Sequence, residues 1–157
     1  MTPLFFEHFL GKESCATPEE VRAVLAKSLD GYNEFIVADA PWVPGAGPYP
    51  YLSVLVKDRH AYLWYAPDDG SAGIQAYGPE ELGLDPHGFT AFHITPGGEV
   101  LKVCNDYVCP LEAAAEVLLA WLDLPGWPAR PEQLPALVRS EELCPYPIPP
   151  APEPLAP

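Results

Sequence analysis

Proline sets the first boundary on what this chain can fold into. The sequence holds 22 prolines in 157 residues, gathered in loops and at the C-terminus. A proline has no backbone N–H and a fixed φ, so helix interiors and central strands reject it. It is welcome at the first position of a helix, and two segments use it there. In Thr17-Pro18-Glu19-Glu20, Thr17 is an N-cap, Pro18 opens the helix and Glu20 completes a capping box. Val21, Val24, Leu25 and Leu29 then fall on one face, and Gly31 can end the helix in a left-handed turn. The first clear element is therefore an amphipathic helix over Pro18–Leu29. A second helix is expected over Pro110–Leu122, where Glu112 complements the positive end of the helix dipole. Leu111, Ala114, Ala115, Leu118, Leu119 and Leu122 form its apolar stripe, and Pro125-Gly126-Trp127-Pro128 stops it. Pro131–Leu143 has room for a short helical turn, broken at Pro135.

Between the two helices the pattern changes to strands. Glu34–Ala38 is short and apolar, and Trp42–Pro50 is a loop of turn residues. Tyr51–Val56 and His60–Ala66 are rich in aromatic and β-branched residues and are spaced as an antiparallel hairpin. In the second of them, Tyr62 and Trp64 share one face while Leu63 and Tyr65 share the other. One set is expected in the core and the other over the sheet edge or a partner. Gly73–Tyr77 reads as a short strand, and Gly78–Gly88 as a polar, acidic, turn-rich segment. Phe89–Thr95 and Glu99–Cys104 flank Pro96-Gly97-Gly98 as a second hairpin. From Pro145 onward seven of 13 residues are proline, which predicts an extended, disordered tail. The expected fold is α+β: a mostly antiparallel sheet of five or six strands, with two helices packed on one face. Residues 1–144 form one domain and 145–157 the tail.

Composition narrows the function classes. Eight Lys and Arg stand against 22 Asp and Glu, a formal net charge of −14 at pH 7. Such a chain repels nucleic acid and anionic lipid, so neither is expected as a direct partner. It attracts a basic partner and speeds encounter with it, although acidity also serves solubility alone. No apolar run is long enough to span a bilayer, which takes about 18–20 residues. Met1–Leu10 has neither a basic region nor a small-residue cleavage site, so a cytoplasmic location is expected. There Cys15, Cys104, Cys109 and Cys144 are expected as free thiols.

No catalytic constellation stands out. The glycines at Gly70, Gly73 and Gly78 are spaced as turn glycines, not as a phosphate cradle. Cys104 and Cys109 with His87 and His93 can be drawn as a zinc site, but a Cys-x4-Cys spacing is too wide for a zinc knuckle. The plainer reading makes Cys104 a core residue of a strand and Cys109 the border of a helix. A cysteine nucleophile would need His60, His87 or His93 as its base, and nothing local favours one. Asp68-Asp69 and Glu80-Glu81 are loop carboxylates, and the aromatics around Tyr62 lack the basic residues of a base-stacking platform. The expectation is a binding protein, not an enzyme, with no cofactor and no metal.

One resemblance adds to this reading. Asn33-Glu-Phe-Ile-Val37 is followed by Tyr49-Pro-Tyr-Leu-Ser-Val54, then by Ala61-Tyr-Leu-Trp-Tyr65 with a glycine-bearing turn beyond it. Asn105 then precedes Val108-Cys-Pro-Leu-Glu-Ala-Ala114, which opens the helix leading to Trp121 and Pro125. In this order the stretch Asn33–Pro125, about 60 % of the chain, resembles the Imm-one family of bacterial immunity proteins. Those are partners of polymorphic toxins, among them the double-stranded DNA cytidine deaminase toxin. The Trp42–Pro50 loop and the proline tail depart from the family pattern. The resemblance implies an antitoxin that binds a cognate toxin domain, a nucleic-acid deaminase first, and occludes its active site. The partner would present a basic substrate cleft and form a one-to-one heterodimer. No catalytic residue transfers from the family. Charge and loop position make Asp68, Asp69, Glu80, Glu81 and Asp85 candidate contacts, with Tyr77 and Tyr107 as aromatic anchors. The competing readings are a secretion chaperone or adaptor that binds without inhibiting, and a small hydrolase. The proline tail is also a possible ligand for a proline-binding domain.

Overall fold

Why the helices begin where they do is visible in hydrogen bonds. In the computed structural model, which describes residues 3–27, 33–41, 43–45, 50–67, 74–75, 82–85, 87–94, 99–122, 127 and 153–154, α1 spans Pro18–Leu25. The Thr17 hydroxyl accepts from the Glu20 N–H at 3.2 Å. The Glu20 carboxylate reaches back to accept from the Ala16 N–H at 3.0 Å, so Thr17 satisfies one first-turn donor and Glu20 holds the chain that enters the helix. Val21, Val24 and Leu25 are its buried face. Helix α2 spans Leu111–Trp121, with Pro110 as its N-cap and Ala114, Ala115, Val117, Leu118 and Trp121 buried.

The strands are β1 (Leu4–His8), β2 (Gly11–Cys15), β3 (Glu34–Ala38), β4 (Tyr51–Lys57), β5 (His60–Ala66), β6 (Ile74–Gln75), β7 (Phe89–His93), β8 (Glu99–Cys104), β9 (Val108–Pro110) and β10 (Glu153–Pro154). The main sheet runs β2-β1-β3-β4-β5, and the far edge of β5 is shared by two short strands. Strand β9 pairs with His60–Tyr62 and β6 with Trp64–Tyr65. Every pairing is antiparallel. The hairpin β7–β8 stands apart as a second sheet, with β10 on the outer side of β8. A 3-10 turn, Asn105–Tyr107, leads from β8 into β9.

Both helices pack on one face of the main sheet, as the sequence predicts, with Phe6, Phe35, Val37, Leu52, Val54, Leu63 and Tyr65 beneath them. The second sheet covers the opposite face, where Phe92, Leu101 and Val103 meet Leu55, Tyr62, Trp64 and Ala66. The expectation for β5 needs correction here. Its alternation is as read, but neither set of side chains lies over an edge. Leu63 and Tyr65 are under the helices, and Tyr62 and Trp64 are under the second sheet at 2 % and 8 % exposure. The strand is apolar on both faces because both faces are covered.

The hairpin β1–β2 was not foreseen. Its β2 sequence, Gly11-Lys-Glu-Ser-Cys15, buries only Cys15, so it lacks the alternation that announces a strand. In β1 a histidine takes a core position. The His8 side chain is 1 % exposed, and its Nε2 lies 2.5 Å from the Glu13 carboxylate. Lys27, just past α1, binds the same oxygen at 2.5 Å. Hydrogen bonds from Lys27 and His8 hold the Glu13 carboxyl below the usual carboxylate range. Its contribution is present above the ordinary carboxylate pKa and is lost as pH falls through the lowered one. Glu34 behaves in the opposite way. Burial, with Glu7 nearby, raises its pKa, so its share of stability is present in acid and lost as pH rises through that value. Glu34→Gln should therefore stabilise the fold at neutral pH by under about 1 kcal/mol. The gain should shrink toward pH 4 in thermal melts recorded across pH.

The remaining tail prediction meets only Glu153–Pro154, which are paired with β8. The rest of 145–157 lies outside the described residues. Among the described residues no helix is long and apolar enough to cross a membrane.

Candidate interaction corner

Of the seven contact residues named from sequence, Asp68, Asp69, Tyr77, Glu80 and Glu81 lie outside the described residues. The other two, Asp85 and Tyr107, belong to one corner at the end of the second sheet, and Asn105 builds it. The Asn105 amide donates through Nδ2 to the Asp85 carbonyl at 2.8 Å. Its Oδ1 accepts from the Thr90 hydroxyl at 2.6 Å, and its backbone N–H donates to the Gly88 carbonyl at 3.1 Å. The loop before β7 closes on itself as well. The Asp85 carboxylate accepts from the His87 N–H at 2.9 Å, and the Asp85 carbonyl accepts from the Gly88 N–H at 3.0 Å. This Asx-type turn is what an aspartate two residues before an exposed N–H favours. The fit at Gly88 is close, since a Cβ there would stand 3.2 Å from Asn105 Nδ2 and 3.2 Å from Asp85 Cβ, and both would have to give by a few tenths of an ångström.

The corner presents acid and aromatic surface together. Asp85, His87 and Asp106 are exposed. Tyr107 is half-buried and packs against the cluster that joins the two sheets, as do Leu82 and Leu84. Phe89, the first residue of β7, is 63 % exposed, whereas Phe92 is fully buried. Sequence reading missed Phe89 as a surface residue, although the signal was there. Residues three apart on a strand point to opposite faces, so burying Phe92 turns Phe89 outward. Asp106 was overlooked because it was read only as part of the connection between β8 and the second helix.

Of the groups considered for catalysis, His87 is exposed at this corner and Cys104 pairs in register with Phe89 beside it, whereas Cys109 is buried. Burial pushes the Cys109 thiol up to about 12. Burial, with the carboxylates of Glu20 and Glu13, pushes the Cys15 thiol up to about 11. Both are therefore thiols, not thiolates, at neutral pH. Cys109 lies in β9 directly before α2, at the border of the helix as expected. Cys104 is half-buried at the end of β8 and pairs in register with Phe89, so it is not the core residue the sequence suggested. His8 has no free ring nitrogen, since Nδ1 accepts from the Leu10 N–H at 3.0 Å and Nε2 faces Glu13. It is a structural link between β1, β2 and the end of α1. Among the described residues no three His, Cys, Asp or Glu side chains are grouped as a metal would need.

No protein-family model matches the chain, and no curated protein matches it significantly.

Proposed function

We propose that this chain is an immunity protein that binds a cognate bacterial toxin domain and occludes its active site. The observation that carries the proposal is the corner at Asp85, Phe89, Asp106 and Tyr107, on a chain whose formal net charge is −14. A nucleic-acid deaminase or nuclease needs a basic groove for its substrate, and an acidic surface is complementary to that groove. An exposed aromatic on the same corner as acidic residues fits the pattern of an interface anchor, and Asn105 holds the loop in place before binding, which reduces the ordering cost. The order of segments shared with the Imm-one family supports the same reading, with a deaminase as the favoured toxin and a one-to-one complex in the cytoplasm as its setting. The protein then acts by covering a site, and needs no cofactor of its own.

If a toxin domain is encoded beside this gene, co-expression with it tests the proposal. Cell survival with a one-to-one complex on co-purification is the expected result. The double charge reversal Asp85→Lys with Asp106→Lys should weaken that complex at least about tenfold and flatten its salt dependence. Absence of both protection and complex would remove the immunity reading. Binding without protection would favour a chaperone instead.

A further inference from the structure

The second sheet ends on the protein's own C-terminal segment. Strand β10 is two residues long and lies antiparallel along the outer edge of β8, with Glu153 opposite Val100 and Pro154 opposite Glu99. Hydrogen-bonded and non-bonded positions alternate along an antiparallel pair. Proline has no N–H to give, so Pro154 suits the position that points away from β8, which leaves Glu153 and Val100 as the bonding pair. One bonding pair is a small hold on a strand that runs six residues, Glu99–Cys104. On its other side β7 is in register with five of them, Val100–Cys104. Past Cys104 the chain turns directly into Asn105–Tyr107, so a strand laid along β8 leads from the seat of β10 to the acidic corner.

We propose that the outer edge of β8 is a strand-addition site for an extended segment of a basic protein partner, and that Glu153–Pro154 is the resident strand this segment displaces. The edge already accepts a strand in antiparallel register, so its geometry suits main-chain pairing. The resident strand is paired only with Glu99 and Val100 at one end of β8. The exposed charges along the path are Glu99 at one end and Asp106 at the other, with Lys102 between them. Their balance is acidic, like that of the whole chain. The strand site follows from the pairing of β10, while the basic nature of the partner rests on the immunity reading.

The test uses two variants of the full chain and a blocked octapeptide of alternating Val and Lys. Glu153→Pro removes the one bonding position of the resident strand, and Pro154→Val makes that strand a better one. In calorimetric titrations Glu153→Pro should bind the peptide roughly tenfold more tightly than the unaltered chain, and Pro154→Val more weakly. Hydrogen exchange should slow at Glu99–Cys104 when the peptide is added. Equal affinity of all three proteins would overturn the proposal. So would protection at Gly11–Cys15, the edge strand at the other end of the molecule. A Val–Glu peptide that binds as tightly as Val–Lys would overturn the basic partner. Because no toxin enters this experiment, its success alongside a failed co-expression would remove the immunity reading alone.

Discussion

Trp121→Ala should lower stability by about 3–5 kcal/mol and the melting temperature by roughly 10 °C. Trp121 is fully buried at the end of α2. Its ring meets Tyr65 edge-on at 5.3 Å and Trp127 at 4.5 Å, so one side chain joins the helix, strand β5 and the segment that follows. Alanine would leave a cavity among rings that cannot close in on it, which is the costly case of a large-to-small change. Phenylalanine tells the contacts apart. Among the described residues the buried Trp121 Nε1 has no hydrogen-bond partner, so Trp121→Phe loses packing but no polar interaction with them. Its cost should stay well below that of alanine in the same denaturant titration. Equal costs would mean that the indole N–H does have a partner.

Asn105→Ala should have the largest effect on partner binding for the smallest change in structure. The side chain provides the bond to the Asp85 carbonyl and the acceptor for the Thr90 hydroxyl. Losing both should cost about 1–2 kcal/mol of stability and free the loop that carries Asp85. Affinity for the proposed toxin partner should then fall at least about tenfold, mostly through faster dissociation, because the partner must order the loop on contact. Asn105→Asp keeps the acceptor for Thr90 but offers no N–H to the Asp85 carbonyl. It should fall between the two in both measurements. An alanine variant that binds as tightly as the original chain would place the interface away from this corner.

How much of this was legible in the sequence can be judged element by element. Both helix starts were readable because Thr17, Pro18, Glu20 and Pro110 act locally, through caps and φ, over a few residues. The β4–β5 hairpin was readable from two apolar strands joined by a two-residue turn, with Asp58 at φ +56. The hairpin β1–β2 was not, since its partners are a buried histidine, a glutamate and a lysine whose link appears only once α1 has folded back. The division into two sheets was also hidden. Strand β5 reads as apolar throughout, and the pattern cannot say what covers each face. At the candidate site, Asp85 and Tyr107 were found by charge and residue type. The bond that ties the Asp85 loop to Asn105 was missed, because the two residues are 20 apart and meet only through the closing of β7 on β8.

The bond between the Trp127 N–H and the Asp39 carboxylate spans 88 residues, and the ion pair of Arg22 with Glu112 spans 90. Synthesis proceeds from the other end. While the ribosome is still making α2, β3 and β5 already exist, but the indole rings that seal their core do not. The nascent chain thus carries an unsealed apolar face until Trp127 emerges, and this core can finish folding only after that. Under the proposed immunity role, only copies synthesised past Trp127 would protect, and their abundance before the toxin arrives would matter as much as their affinity.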